Sequence, residues 1–360
     1  MRIAQIAPLF ERVPPHTYGG TERVVSYLTE ELVARGHTVT LFASGDSITR
    51  ARLVPGSDRS LRLGDPSRDA VATHMAMLAR AYERAKDFDV IHCHTDYLSL
   101  PFARHAPTPT VVTLHGRLDL PEVHPLYRAY PDVALVSISD AQREPLGGVR
   151  WAATVPHGIP ADLYRFREKP GRYLVFLGRI SPEKRPDAAI RIAVRAGIPL
   201  RIAAKVDRPD RDYFEQIVRP LLDHPLVEFL GEVDEKEKER LLGEALALLF
   251  PIDWPEPFGM VLIESLACGT PVVARRRGSV PEVVTEGLTG FLGESDDELV
   301  RAVGRAAELS RAACRMEFER RFTAPVMAQG YLDVYERVRA RSAERSRIVV
   351  PGAATSALRV

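Results

Sequence analysis

The chain has 360 residues, of which 45% are hydrophobic and 27% charged. That balance excludes the disordered, collagenous and low-complexity classes, and the length fits two domains more readily than one. Lys and Arg total 49 against 48 Asp and Glu, a net charge of +1, so the charge calls for neither nucleic acid nor an acidic surface as partner.

Three cysteines, Cys93, Cys268 and Cys314, stand far apart with no CxxC pair. This argues against a zinc ribbon, a thioredoxin site or a disulfide framework, and unpaired thiols fit a cytoplasmic protein. The apolar N-terminal stretch is too short for a signal peptide, and no apolar run approaches the roughly 18–20 residues of a membrane span.

In chain order, residues 2–7 read as a strand. Residues 21–35 read as a helix, because Val24, Val25, Leu28, Leu32 and Val33 recur at helical spacing. A strand follows at 38–43, then a helix near 69–85. Strands follow at 90–94, 110–115 and 133–138, and a short one leads into Pro156. Continuous β-branched runs separated by helices predict a parallel sheet covered on both faces. The same grammar then restarts, with strands at 173–177, 200–204 and 227–230 and helices at 187–195, 211–222 and 234–245. Strands at 246–250, 271–274 and 290–292 complete the second sheet. The boundary is expected within 160–172, where Pro170-Gly171 interrupts the pattern.

The fold class is therefore α/β, with two doubly wound Rossmann-like domains, 1–165 and 166–323, facing a central cleft. A helix at 324–342 is expected to pack back on the first domain, and 346–360 to form a disordered tail. Ligands in such sheets bind beyond the carboxyl ends of the strands, so the loops at those ends carry the chemistry.

Gly19-Gly20 lies between the first strand and its helix, where a phosphate can approach backbone N–H groups; the plainer reading is a turn. Neither GxGxxG nor GxxxxGK[ST] occurs. Arg179 and Lys184 follow the first strand of the second domain, at the sheet end suited to a diphosphate, unless they merely form a solvated basic loop. The most specific segment runs from Glu256 through Pro257-Phe258-Gly259-Met260 to Glu264 and on to Val273. Gly259 opens a helix there, and Met260 and Glu264 share one face of it. A carboxylate at that place can take two ribose hydroxyls while the helix N-terminus points at phosphate. The alternative, an exposed helix glutamate, sits poorly with so apolar a helix.

These residues resemble the retaining family 4 glycosyltransferases, which have the two-domain GT-B fold. Thr110 to Gly116, Ile138-Ser139, Val280-Pro281-Glu282, Gly287 and Gly290 match as well, and the resemblance spans about residues 1–340. It implies a nucleoside-diphosphate sugar as donor, a hydroxyl acceptor and no metal or other cofactor. Gly20 would offer its N–H to the diphosphate, with Gly19 making the turn. Arg179 and Lys184 would neutralise the leaving group. Glu264 would hold the ribose, and Glu256, Phe258, Gly259 and Met260 the sugar and phosphate. His115 would lie beside the anomeric carbon, in a positioning role rather than as general base. The base would rest near Phe229, Leu230, Gly231 and Glu232. Front-face attack, with a phosphate oxygen taking the acceptor's proton, needs no protein nucleophile.

His16, His94 and Asp96 are candidates for touching the acceptor, although His92 and His94 read equally as packed strand-end histidines. His157 departs from the family's usual Asn-Gly and is expected to affect the linker more than catalysis. Lys205 is either an added phosphate contact or a strand-end lysine. Arg275-Arg276-Arg277 marks an anionic acceptor or a solvated loop. Asp87-Phe88-Asp89 and Asp210-Arg211-Asp212 are not expected to bind metal. The Arg-rich stretch 337–347 allows at most peripheral membrane contact. Loops at about 44–69 and 118–130 are expected to choose the acceptor. A nucleotide-sugar 2-epimerase of the same fold, or a catalytically silent nucleotide- or glycan-binding protein, are the alternatives. The Glu-x7-Glu segment argues against the first, and intact Arg179, Lys184, Glu256 and Glu264 against the second.

Overall fold

The computed structural model describes residues 1–16, 19–63 and 69–348. Its strands are β1 (Arg2–Ile6), β2 (Thr38–Ser44), β3 (Arg52–Ser57), β4 (Val90–Cys93), β5 (Thr110–Thr113), β6 (Ala134–Ser137) and β7 (Trp151–Thr154). They continue as β8 (Leu174–Arg179), β9 (Leu200–Lys205), β10 (Val227–Gly231), β11 (Ala247–Phe250), β12 (Val272–Arg275) and β13 (Gly290–Gly293). Two sheets result, ordered β3-β2-β1-β4-β5-β6-β7 and β10-β9-β8-β11-β12-β13. Every pairing is parallel. In each sheet the order reverses at the first strand, which opens a crevice at β1/β4 and another at β8/β11. This is the doubly wound α/β class that the alternating pattern predicts.

Strands β4, β5 and β11 are buried along their whole length, as central strands covered on both faces must be. The Gly20–Ala34 helix buries Val24, Val25, Leu28 and Leu32 on one stripe. The last helix, Ala324–Ile348, lays Met327, Ala328, Tyr331, Leu332 and Tyr335 in one cluster with Ile3, Val90, Val111 and Val136 of the first sheet. Its apolar positions recur at three- and four-residue intervals, so one face meets the sheet. Residues 346–348 are thus helical rather than tail; those after Ile348 lie outside the described residues.

Three other expectations change. Strand β3 falls inside a segment read only as an acceptor loop. Pro55 and Gly56 mask it, and both are tolerated because β3 is an edge strand. The helix expected at 211–222 is broken into a helical turn (Arg211–Tyr213), a π-helical turn (Phe214–Val218) and a 3₁₀ turn (Arg219–Leu221). Pro220 lacks an N–H and crowds the preceding turn, which accounts for the break. Gly178 and Arg179 are the last residues of β8, paired with Ala204 and Lys205, rather than loop residues after it.

The carboxyl ends of the two sheets meet across specific contacts. The Ser139 hydroxyl donates to the Pro257 carbonyl at 2.7 Å. The Glu282 carboxylate accepts the Asp140 and Ala141 N–H groups at 2.8 and 2.7 Å. Arg23 pairs with Glu235 at 2.8 Å.

Candidate active site

A cleft of ≈ 730 Å³ lies between the two sheets. His16, Gly19, Gly20, His94, Asp96 and His115 line it from the first. Arg179, Lys184, Glu256, Phe258, Gly259, Met260 and Glu264 line it from the second. Sequence motifs that are scattered over most of the chain therefore converge.

At one end Gly259 (φ 80°, ψ 71°) turns the chain into the Met260–Ala267 helix. A Cβ at Gly259 would stand 3.0 Å from Leu262 and would strain a left-handed backbone. The first N–H groups of that helix have no partner within it, which favours an anion there. Beside it Lys184 pairs with Glu256, and the Trp254 indole donates to the same Glu256 oxygen at 2.9 Å. The Lys184 ammonium also lies 5.0 Å from the Trp254 ring centre. Arg179 faces three carboxylates: Glu183 at 3.2 Å, Asp210 at 3.8 Å and Asp207 at 4.0 Å. Lys205 lines the cleft and pairs with Asp207 at 3.0 Å. Three cations and a helix N-terminus thus line the cleft, each cation held by carboxylates of the chain itself.

Glu264, buried on its helix, pairs with Lys238 at 2.9 Å. Lys238 also pairs with Glu235 at 2.9 Å, and Glu235 with Arg23 of the opposite domain. Burial pushes the Glu235 carboxyl up, but Lys238 and Arg23 outweigh it and hold it below the usual range. Arg23, Glu235, Lys238 and Glu264 form an alternating chain of charges along the cleft wall.

On the first domain's side, His115 and Asp96 share one corner. The His115 backbone N–H donates to the Asp96 carboxylate at 3.3 Å. Asp96 sits at φ 46°, a conformation that a non-glycine residue adopts at some cost and that clusters at functional sites. Burial pushes its carboxyl up to about 6. Burial likewise raises Glu22, on the cleft wall, to about 6 and lowers His115 to about 3. A ring with so low a value stays neutral at pH 7 and is a weak base, which favours positioning over proton abstraction.

Several readings are corrected. Leu230 and Gly231 do not line the cleft; β10 is an edge strand, and Glu232, Val233 and Asp234 beyond it form the wall, while Leu230 packs on the second core. His157 is not a linker residue alone. It is buried, its ring stacks on His115 with centres 5.1 Å apart, and Phe258 meets it edge-on at 4.9 Å. The Arg275–Arg277 triplet is engaged within the chain: Arg275 with Asp296 and Asp253, Arg276 with Glu286 and Glu294, Arg277 with Glu294 and Asp253. Asp87 pairs with Arg84 and Asp89 with Arg2, far from the cleft, whereas Asp210 faces Arg179. Among the described residues no three His, Cys, Asp or Glu side chains are grouped to hold a metal ion. Trp254, Glu235, Lys238 and Arg23 escape the sequence reading. Trp254 stands two residues before Glu256, and Glu235 and Lys238 are three apart on one helix, so those carry a weak signal; Arg23 carries none.

Comparison with known proteins bears on the family and the fold. Residues 18–162 match the Glycosyltransferase Family 4 model and residues 165–321 the Glycosyl transferases group 1 model. The chain is 29% identical to the phosphatidyl-myo-inositol mannosyltransferase of Mycolicibacterium smegmatis, over 98% of this chain and 97% of that one. It superposes on AviGT4, a glycosyltransferase of avilamycin A biosynthesis, with a TM-score of 0.72 and 27% identity, covering 95% and 98% of the two chains. It shares its fold, at a TM-score of 0.71 and 18% identity, with Anabaena HepE crystallised with UDP and glucose, covering 94% and 100%. With both halves matched, the chain belongs to the family 4 glycosyltransferases of GT-B fold and is a glycosyltransferase.

Proposed function

We propose that the enzyme is a retaining transferase that moves a sugar from a nucleoside-diphosphate sugar to a hydroxyl acceptor, without a metal. The observation that carries this reading is that Arg179, Lys184 and the Gly259 turn opening the Met260–Ala267 helix line one cleft. Cleaving a glycosyl–phosphate bond leaves an anionic diphosphate, and preorganised cations in a water-poor site stabilise that charge most. Glu264, on the same helix, would take the ribose hydroxyls in place of Lys238. Gly20, at the start of the opposite helix, would give its N–H to the diphosphate. Anabaena HepE, of the same fold, has been crystallised with UDP and with UDP-glucose, which supports a nucleotide-sugar donor.

In this reading no side chain attacks the anomeric carbon. The acceptor hydroxyl approaches from the leaving-group side, and its proton passes to a phosphate oxygen as the glycosyl–oxygen bond breaks. His115, neutral and beside His157, positions the sugar. His16, His94 and Asp96 belong to the acceptor's side of the cleft. Three buried free thiols suit work in a reducing cytoplasm, and no described helix is long and apolar enough to cross a membrane.

The test is slow donor hydrolysis, which needs no acceptor. UDP-, GDP- and ADP-sugars of α configuration are incubated with the enzyme in EDTA, and the released sugar is read by NMR before it mutarotates. Release of the α anomer supports retention without metal. Release of the β anomer, or turnover only when divalent metal is restored, overturns it.

A further inference from the structure

Six hydrogen bonds, five of them fully buried, run in one unbroken line from the cleft to the C-terminal helix. His115 Nε2 meets His94 Nδ1 at 2.9 Å, and His94 Nε2 meets Gln5 Oε1 at 2.8 Å. Gln5 Nε2 donates to the Tyr335 hydroxyl at 3.0 Å, which meets His92 Nδ1 at 2.7 Å. His92 Nε2 meets the Thr113 hydroxyl at 2.7 Å, and that hydroxyl donates to Tyr331 at 3.1 Å. Gln5 stands on β1, His92 on neighbouring β4 and Thr113 on β5, in the middle of the first sheet. Tyr331 and Tyr335 are one turn apart on the helix that crosses those strands.

The direction of the links toward the cleft follows from one amide, and that of the far links from Thr113, which donates to Tyr331 and so accepts from His92. Gln5 Oε1 can only accept, so the proton between it and His94 belongs to His94 Nε2. A neutral His94 then has a lone pair at Nδ1, and His115 Nε2 must donate to it. On the other side, Tyr335 accepts from Gln5 and passes its own proton toward His92 Nδ1. That leaves His92 Nε2 to donate to Thr113. Turning the Gln5 amide over would invert the links toward the cleft.

We propose that Gln5 and Tyr335 are positioning residues for His115: through His94 they fix its ring as the Nε2–H tautomer and leave Nδ1 as a hydrogen-bond acceptor in the cleft wall. That Nδ1 is enclosed and has no hydrogen-bond partner among the described residues. A neutral acceptor nitrogen there accepts a hydrogen bond from a hydroxyl of the sugar once the bound donor seats against it; the opposite tautomer would present an N–H to the same hydroxyl. Burial keeps all three rings in the line neutral, so a choice of tautomer is always in force. The C-terminal helix thereby acts on the site although none of its described residues lines the cleft.

The test uses the full chain labelled with ¹⁵N-histidine, with long-range proton–nitrogen correlation spectra read at pH 7.5 and His115 assigned from a His115→Asn variant. The wild type is expected to show His115 protonated at Nε2 and bare at Nδ1. Tyr335→Phe removes one oxygen from the line and frees the Gln5 amide; Gln5→Leu removes the acceptor for His94 altogether. In either variant the two His115 nitrogens are expected to move toward a mixture of tautomers, with donor hydrolysis falling two- to tenfold. Stabilisation by the nucleoside diphosphate should be retained. A purely structural role for the tyrosine would lower the melting temperature and leave the His115 signals in place, which overturns the proposal. So does a wild-type ring protonated at Nδ1. The link to turnover rests on the transferase reading of His115, whereas the tautomer does not. A shift of tautomer without loss of turnover would therefore count against that reading and not against the relay.

Discussion

Replacing Glu256 by Gln isolates the charge that faces Lys184. Glu256 is 8% exposed, and its carboxylate accepts from the Trp254 indole and pairs with Lys184, whose side chain is 16% exposed. Removing one partner of a fully buried pair costs about 3–5 kcal/mol, because the other charge is left uncompensated. Here Lys184 keeps some solvent contact and the Trp254 and Phe250 ring faces at 5.0 and 5.5 Å, and the substituted amide can still accept from Trp254. The expected loss is therefore smaller, about 1–3 kcal/mol, or roughly 2–4 °C per kcal/mol for a domain of this size. A nucleoside diphosphate brings the missing negative charge. Its addition should raise the melting temperature of the variant by more than it raises that of the wild type. Donor hydrolysis should fall at least a hundredfold, about 2.7 kcal/mol of barrier, because in the proposed transferase reading Glu256 holds the donor sugar. Thermal melts with and without nucleotide, alongside hydrolysis rates, measure all three. Turnover within threefold of wild type would refute the placement of Glu256 at the donor.

Three further outcomes follow from the geometry. Glu264→Ala should weaken binding of the nucleoside diphosphate about 10–100-fold. Calorimetry with the 2′-deoxy nucleotide should then show little further loss, since both changes remove the same hydrogen bond; additive losses would place the ribose elsewhere. Asp96 holds its proton up to about pH 6 when folded, against an ordinary value of 3.8. Its protonation thus favours folding, fully below about pH 3.8, and that contribution is lost as pH rises through about 6. Asp96→Asn, which tolerates φ 46°, should be about 1–2 kcal/mol more stable than wild type at pH 8, discounted for partial exposure to the cleft. It should be no more stable at pH 4. A melting difference independent of pH would contradict the raised carboxyl. Gly259→Ala, with φ 80° and Leu262 3.0 Å from the new Cβ, should cost about 1–2 kcal/mol in melts and weaken diphosphate binding at the helix it opens.

The residues that the sequence brings to the cleft are those whose chemistry is local. Arg179, Lys184, Glu256, Gly259 and Glu264 each stand close to a strand end that apolar runs mark clearly, and the parallel sheet fixes which end faces the cleft. What escapes is set by distance along the chain or by a rule that the edge of a sheet relaxes. Gln5 and Tyr335 are 330 positions apart and meet only because the last helix returns across β1 and β4. The Arg23–Glu235 pair spans two domains, and a solvated-looking arginine on a helix gives no hint of it. His157 reads as a departure from a familiar dipeptide, while its stacking on His115 depends on where the chain crosses between sheets. Strand β3 is hidden by Pro55 and Gly56, residues that a central strand would refuse and an edge strand accepts.

The central claim, a metal-free nucleoside-diphosphate site at the Arg179–Lys184 end of the cleft, is tested most directly by thermal stabilisation. UDP, GDP and ADP are each added with and without EDTA. A ligand at about 100 times its Kd should add about 2.7 kcal/mol to stability. Clear stabilisation by one of the three that survives EDTA and is lost in Lys184→Ala is the predicted result. No response to any of them, or a response that EDTA abolishes, would contradict the account.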